Sequence, residues 1–327
     1  MNKKNMKLLS ELKHNRNIVK IWLKILKVHL CIFSLVILTA WQKTEITHDI
    51  ETQRKPWTHL DFDDNPDNFQ FVIVADRTGA TREGVFRKAV EKINLLRPEF
   101  VICVGDLIQG LTEDRKELVA QWNEFKSIAE KFKAPFFYLP GNHDISYSNA
   151  SKKMHEQSKE LWEELFGRTY YYFVYKNVLF ICLNTTEKRP QNLNLGDEQI
   201  SWAKKVLKDH PDVRWTCILM HHPGIWNGKE MRLLENALKD RKYTVFAGDL
   251  HEYTAHVRNG RKYFVLATTG GVSKLRGISF GEFDHCMWVT MTDDGPVIAN
   301  LLIDGIMPED IVTEKKRKEI KSTDSKK

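Results

Sequence analysis

With 327 residues, 42% hydrophobic side chains and nine tryptophans, the chain carries enough apolar surface for a full core, which excludes a disordered polymer. Its formal charge of +7 resides in residues 1–40, where eight Lys or Arg stand against Glu11 alone, so residues 41–327 are close to neutral. A neutral body offers no basic footprint for nucleic acid, and none is expected as a partner.

Taken in chain order, residues 1–40 are basic as far as Lys27 and then apolar over 28–40. That is the plan of a signal peptide or signal anchor, and the apolar part is shorter than the ~20 residues a spanning helix needs. Leu38-Thr39-Ala40 is the candidate cleavage site. The competing reading is an amphipathic helix of the folded domain. Residues 41–67, polar and containing Pro56 and Pro66, read as a linker to a domain over 68–305. Strands are expected at 69–74, 100–104, 136–139, 216–220 and 243–247, each a short apolar run. Helices are expected at 81–96, 115–132, 197–208 and 230–239 from apolar residues spaced three and four apart, with Pro98 ending the first. Hairpin signals follow: 253–257, a turn at Asn259-Gly260, 262–267, and later strands near 287–291 and 297–302. Residues 306–327 form a basic tail expected to be disordered. Cys103, Cys182, Cys217 and Cys286 each lie in an apolar run and read as buried small hydrophobes rather than disulfides. An exported chain without a disulfide framework fits a bacterial periplasm, or a membrane-anchored form if the N-terminal segment is not cleaved.

Chemistry-bearing residues collect just after the strands. They are Asp76-Arg77-Thr78-Gly79, Gly105-Asp106, Gly141-Asn142-His143-Asp144, His221-His222-Pro223 and Gly248-Asp249-Leu250-His251. Strand ends are where ligands gather in α/β folds, and carboxylates with imidazoles suit one or two divalent metals. A metal-assisted hydrolase is the reading these residues favour. Repeated βα units followed by strands predict two sheets packed together with helices outside.

The order Asp-x-x, Gly-Asp, Gly-Asn-His-Asp, His-x-Pro, Gly-x-x-His resembles the calcineurin-like metallophosphoesterase superfamily over roughly residues 68 to 303, with Gly-Asn-His-Asp its most specific part. Two positions depart from that pattern: Thr78 and Asp249 stand where the family has His. The resemblance implies an α/β four-layer αββα sandwich with two mixed sheets. It implies a metal-dependent phosphoesterase that hydrolyses small phosphomonoesters or phosphodiesters by a metal-bound water or hydroxide. Asp106 would bridge two ions, the first held also by Asp76 and His251 and the second by Asn142, His221 and Asp249. Candidate ions are Mn, Fe, Zn or Mg, with Mn favoured because an added carboxylate suits harder cations. His143 would be the general acid, Asp144 its orienting partner, and Arg77 a phosphate contact. His222 is expected to stand behind the ligands, since successive residues on a strand face opposite ways. The alternative is a metal-impaired pseudo-phosphoesterase acting as a binding or scaffold protein, motivated by Thr78 and Asp249. Oligomeric state is open.

Overall fold

The computed structural model describes residues 57–60, 62–145, 150–186 and 195–308. The signal or anchor segment, the linker through residue 56 and the tail from residue 309 lie outside the described residues. The chain divides into Met1–Asn65 and Pro66–Lys327, and all elements below belong to the second unit.

Two mixed sheets make the centre. Strands β1 (Phe69–Val74), β2 (Phe100–Cys103), β3 (Phe136–Phe137), β10 (His285–Thr292) and β11 (Gly295–Leu302) form one, in the order β11-β10-β1-β2-β3. Strands β4 (Tyr171–Tyr175), β5 (Val178–Cys182), β6 (Trp215–Leu219), β7 (Tyr243–Ala247), β8 (Thr254–Arg258) and β9 (Arg261–Val265) form the other, in the order β4-β5-β6-β7-β9-β8. The βα units supply parallel neighbours (β1 with β2, β5 with β6, β6 with β7), and hairpins supply the antiparallel margins. Helices α1 (Val85–Leu96), α2 (Arg115–Ala129), α3 (Asn142–Ile145), α4 (Lys152–Phe166), α5 (Gly196–Asp209) and α6 (Lys229–Leu238) complete the architecture. The two mixed sheets flanked by helices are the expected αββα sandwich.

Strand β5 shows how sequence builds the layers. All five residues are buried. Val178, Phe180 and Cys182 join the core shared by both sheets, while Leu179 and Ile181 pack with Ile200, Ala203 and Leu234 of α5 and α6. Period-two alternation therefore feeds two cores at once, which is why the run is apolar throughout. Across the inter-sheet core, Phe180 meets Phe71 and Phe100 edge-on at 5.3 and 5.4 Å. All four described cysteines are buried and free, and burial pushes the Cys103 thiol up to about 12.

Helix α1 begins at Val85 rather than residue 81. The residues before it are committed to the loop opposite: Arg82 donates from its backbone N to Gly270 O at 2.7 Å, and its guanidinium pairs with Asp284. Helix α4 was not foreseen; Ser151 caps it by accepting from Met154 N, and Trp162 seals it against α2 through Trp122.

Candidate metal centre

Several candidate ligands sit in sharp turns just after strands. Asp76, Asp106, Asp249 and His251 have φ of 48°, 59°, 73° and 55°, the left-handed region that costs an L-residue about 1 kcal/mol and that Asp and His tolerate better than most. Left-handed residues clustered in one place mark a functional site more often than a structural accident. Gly105 has φ of 101°, and a methyl on it would lie 2.7 Å from His221 Nδ1 and 2.6 Å from Gly141 N. Only glycine lets these loops close on one another.

The candidate ligands stand close to one another. His221 Nε2 lies 2.9 Å from Asn142 Oδ1, 3.3 Å from Asp106 Oδ1 and 3.7 Å from Asp249 Oδ1. His251 Nε2 lies 3.5 Å from Asp76 Oδ1, and Asp249 N donates to that same oxygen at 3.0 Å. Among the described residues, two clusters have spacing that could hold a metal, Asp76 with Asp106 and His221, and His221 with His222 and Asp249. The imidazoles are held from behind: His221 Nδ1 meets Val104 O at 2.8 Å, His251 Nδ1 meets Val272 O at 2.6 Å, and His143 Nδ1 meets Gln109 O at 2.8 Å. Pinning Nδ1 on a carbonyl leaves Nε2 as the ligating or proton-carrying atom.

The buried carboxylates and His221 perturb one another strongly. Burial raises Asp76 well above the usual carboxylate range; His221 opposes this, and Asp106 and Asp249 add to it. Burial would also raise Asp106, but His221 and the hydrogen bonds it receives hold that carboxyl below its ordinary value. Burial would lower His221, yet Asp106, Asp76 and Asp249 raise it well above the ordinary imidazole range. Asp76 Oδ2 is buried and has no hydrogen-bond partner among the described residues. An orphaned, fully buried carboxylate oxygen is costly unless a cation or donor meets it. The donor set and this orphaned oxygen fit divalent cations.

Several sequence-predicted residues do other work. Asp144 does not orient His143. Its two oxygens accept from four backbone amides, those of Asp106, Leu107, Ile108 and Gly141, at 2.8 to 3.1 Å, and so clip the Asp106 turn to the loop before α3. Burial and then the Asp106 charge raise it to about 6 against those bonds. Arg77 donates to Leu107 O at 2.8 Å and to Glu124 at 2.6 Å, stands over Phe125, and is not among the residues lining the pocket. Thr78 donates to Gln109 Oε1 at 2.8 Å.

His222 stands among the candidate ligands, with Nε2 3.6 Å from Asp249 Oδ1 and Nδ1 2.7 Å from Thr185 Oγ1. Burial, then the neighbouring His221, pushes it down to about 3. Strand alternation placed it on the wrong face because β6 ends at Leu219, so the rule no longer governs residues 221 and 222. Gln109 was also missed, although it lies three residues past Asp106; nothing in its type or spacing announces a role.

These groups open into a pocket of about 630 Å³ whose lining includes Asp106, Gln109, Asn142, His143, Asp249 and His251. Among curated relatives, a probable glycerophosphodiester phosphodiesterase, GpdQ, from Arcobacter nitrofigilis is 26% identical over 140 residues, 43% of this chain and 47% of that one. An uncharacterized Bacillus subtilis protein, YvnB, is 25% identical over 190 residues, 53% of this chain and 14% of that one. The matched segments thus span less than half of either relative. Among solved structures, the fold is similar to purple acid phosphatase PPD1 from yellow lupin (TM-score 0.57, 15% identity, 73% of this chain and 52% of that one). It is also similar to PhoD (TM-score 0.56, 12% identity, 71% and 68%). A family model for calcineurin-like phosphoesterases matches residues 58–253, more than half the chain, and the chain belongs to that family.

Proposed function

We propose that this chain is a metal-dependent phosphoesterase acting on small phosphomonoesters or phosphodiesters. The observation that carries the reading is the convergence of Asp76, Asp106, Asn142, His221, Asp249 and His251, with Asp76 Oδ2 left without a partner among the described residues, beside an open pocket that Asp106, Asn142, Asp249 and His251 line. In this reading Asp106 would be shared by two ions, with Asp76 and His251 on one side and Asn142, His221 and Asp249 on the other. Bound divalent cations supply charge neutralisation for phosphate oxygens and make water a stronger nucleophile at neutral pH.

The chain's own groups do the rest. Asp144 holds the Asp106 turn in register, so the shared carboxylate does not drift. His143 lines the pocket with Nδ1 held by Gln109 O, and in this reading its ring delivers a proton to the leaving oxygen as the phosphorus–oxygen bond breaks. Arg77 acts as a positioning residue, tying the Asp76 loop to α2 through Glu124. Likeness to a protein whose name gives a glycerophosphodiester phosphodiesterase supports including diesters among substrates. The carboxylate-rich shell favours Mn²⁺ or Mg²⁺ over Zn²⁺. We also propose export directed by residues 1–40, on the strength of the charge and apolar pattern.

The test counts metals per chain after Mn²⁺ loading and assays an aryl phosphomonoester and an aryl phosphodiester in parallel. Two ions with turnover are expected, Asp106→Ala losing both ions and rate, and His143→Ala keeping ions while losing rate roughly 10²–10⁴-fold. No turnover on either ester, with one ion or none, would replace this reading by the pseudo-enzyme that Thr78 suggests.

A further inference from the structure

Residues 272–280, Val-Ser-Lys-Leu-Arg-Gly-Ile-Ser-Phe, form a loop that the proposed chemistry does not use. It exposes Val272, Leu275, Ile278 and Phe280, with Ile278 75% and Phe280 53% accessible. Such exposure in a slack loop would mean little, but this loop is built. Gly277 and Glu282 exchange backbone hydrogen bonds at 3.0 and 3.2 Å, and Phe280 N donates to Gly277 O at 3.0 Å. Arg276 grips the buried Glu282 with both arms of its guanidinium while standing 4.3 Å from the Phe280 ring. At its base, Val272 N donates to Gly79 O at 3.1 Å and Val272 O receives His251 Nδ1. The loop is therefore fastened to the ligand cluster and holds its apolar side chains outward.

Continuity with the pocket narrows what covers this patch. Val272, Leu250 and Leu111, all exposed, line the same mouth as Asp249 and His251. Basic residues sit on the loop (Lys274 exposed, Arg276 partly offset by Glu282), while the carboxylates of the mouth, apart from Glu252, belong to the ligand cluster or are paired. Apolar side chains interleaved with cations, with an aromatic ring under an arginine, complement the boundary between anionic headgroups and acyl chains. A protein partner seated on the same rim would close the pocket; a bilayer presents phosphoesters to it.

We infer that residues 272–280 form an interfacial wedge that seats the pocket on an anionic phospholipid surface, so that its substrate is a phosphoester carried by a lipid headgroup. This rests on the phosphoesterase reading for the word substrate, and on the loop alone for the word wedge. Ile278 and Phe280 enter the headgroup boundary, Lys274 pairs with lipid phosphate, and Leu111, Leu250 and Val272 receive the apolar body of the ester.

The experiment uses the full chain with Phe280→Trp, and Ile278→Trp as an independent reporter should the first fail to fold. Each is mixed with phosphatidylcholine/phosphatidylglycerol vesicles carrying brominated acyl chains. Because residues 28–40 can hold the chain on a vesicle by themselves, the readout is quenching at the loop, measured against the parent chain's own tryptophans. Quenching of the added tryptophan at least twofold above that background is expected. The double change Ile278→Ser and Phe280→Ser should lower turnover of a vesicle-borne phosphoester roughly tenfold or more while leaving a soluble aryl phosphoester within twofold. An unquenched reporter at both positions overturns the wedge and leaves the rim to a protein partner. If the parent chain hydrolyses neither ester, the phosphoesterase reading fails while the quenching result still decides the wedge.

Discussion

Thr78 stands where the family places an imidazole, and its surroundings show what it does instead. It is fully buried, donates to Gln109 Oε1 and accepts from Thr81 Oγ1 at 3.1 Å, while the same Gln109 oxygen also receives Ala80 N. The hydroxyl is thus a brace for the loop that carries Asp76. Thr78→Val should cost about 1 kcal/mol by removing these bonds and leave metal content unchanged. Equilibrium denaturation beside metal analysis checks this; a fall in bound metal would mean that the hydroxyl is a ligand. The motif positions Asp76, Asp106, Asn142, His143, His221, Asp249 and His251 were legible from residue type and spacing. The partners of Thr78, Arg77 and Asp144 were not, because Gln109, Glu124 and the amides near Asp106 reach them only across the fold.

At the scale of elements, the strand-end loops are packed against each other with no room to spare. A methyl on Gly141 would overlap the Asp106 carboxylate and its backbone N, neither of which can swing aside while Asp144 clips the turn. Gly141→Ala should therefore destabilise by about 1–3 kcal/mol and weaken metal binding more than ~10-fold, the lower bound for disturbing a group that supports a ligand. Calorimetric metal titration reads this directly; unaltered affinity would show that Asp106 is not held by this contact. Strand β10 supplies a different kind of constraint. His285 is buried, accepts from Ala267 N at 3.1 Å and meets Asn300 at 3.2 Å, and burial pushes it down to about 4. Because the unfolded chain binds that proton near pH 6.5, the neutral ring's contribution is full above about 6.5 and is lost as pH falls toward about 4. The loss is about 3 kcal/mol. His285→Gln should shrink the drop in denaturation midpoint across that window, and an unchanged drop would assign it to other groups. Element types were readable where apolar periodicity was strong, as in β1 and α2, which match the expected strand and helix to within three residues. Helix α4 was missed because its apolar residues are sparse, and the start of α1 was misplaced because Arg82 is drawn to Gly270 and Asp284, some 190 to 200 residues away.

Across the whole molecule, the sandwich gathers four buried or half-buried carboxylates, Asp76, Asp106, Asp144 and Asp249, at one edge of two sheets. If the clusters hold divalent ions, the carboxylates' mutual repulsion and the orphaned Asp76 oxygen should make the ion-free protein less stable than the loaded one. Chelation of Mn²⁺-loaded protein should lower the melting temperature by roughly 5–10 °C, as expected when an ion at about 100 times its Kd contributes about 2.7 kcal/mol. An unchanged melting temperature would mean that the clusters hold no ion under those conditions.

The sequence by itself determined the local terms: which runs bury on both faces, which glycines permit the turns, and which ligand types follow each strand. It also carried the family, because Gly-Asn-His-Asp and its neighbours are contiguous words whose order does not depend on folding. Tertiary structure alone decided which side chains share a partner. His222 enters the cluster because the chain leaves β6 before reaching it, and Asp144 turns inward because four amides from two loops offer better company than one imidazole. Hydrogen bonds and Coulomb attractions act over a few ångströms of space, and spacing along the chain says little about which groups will stand that close.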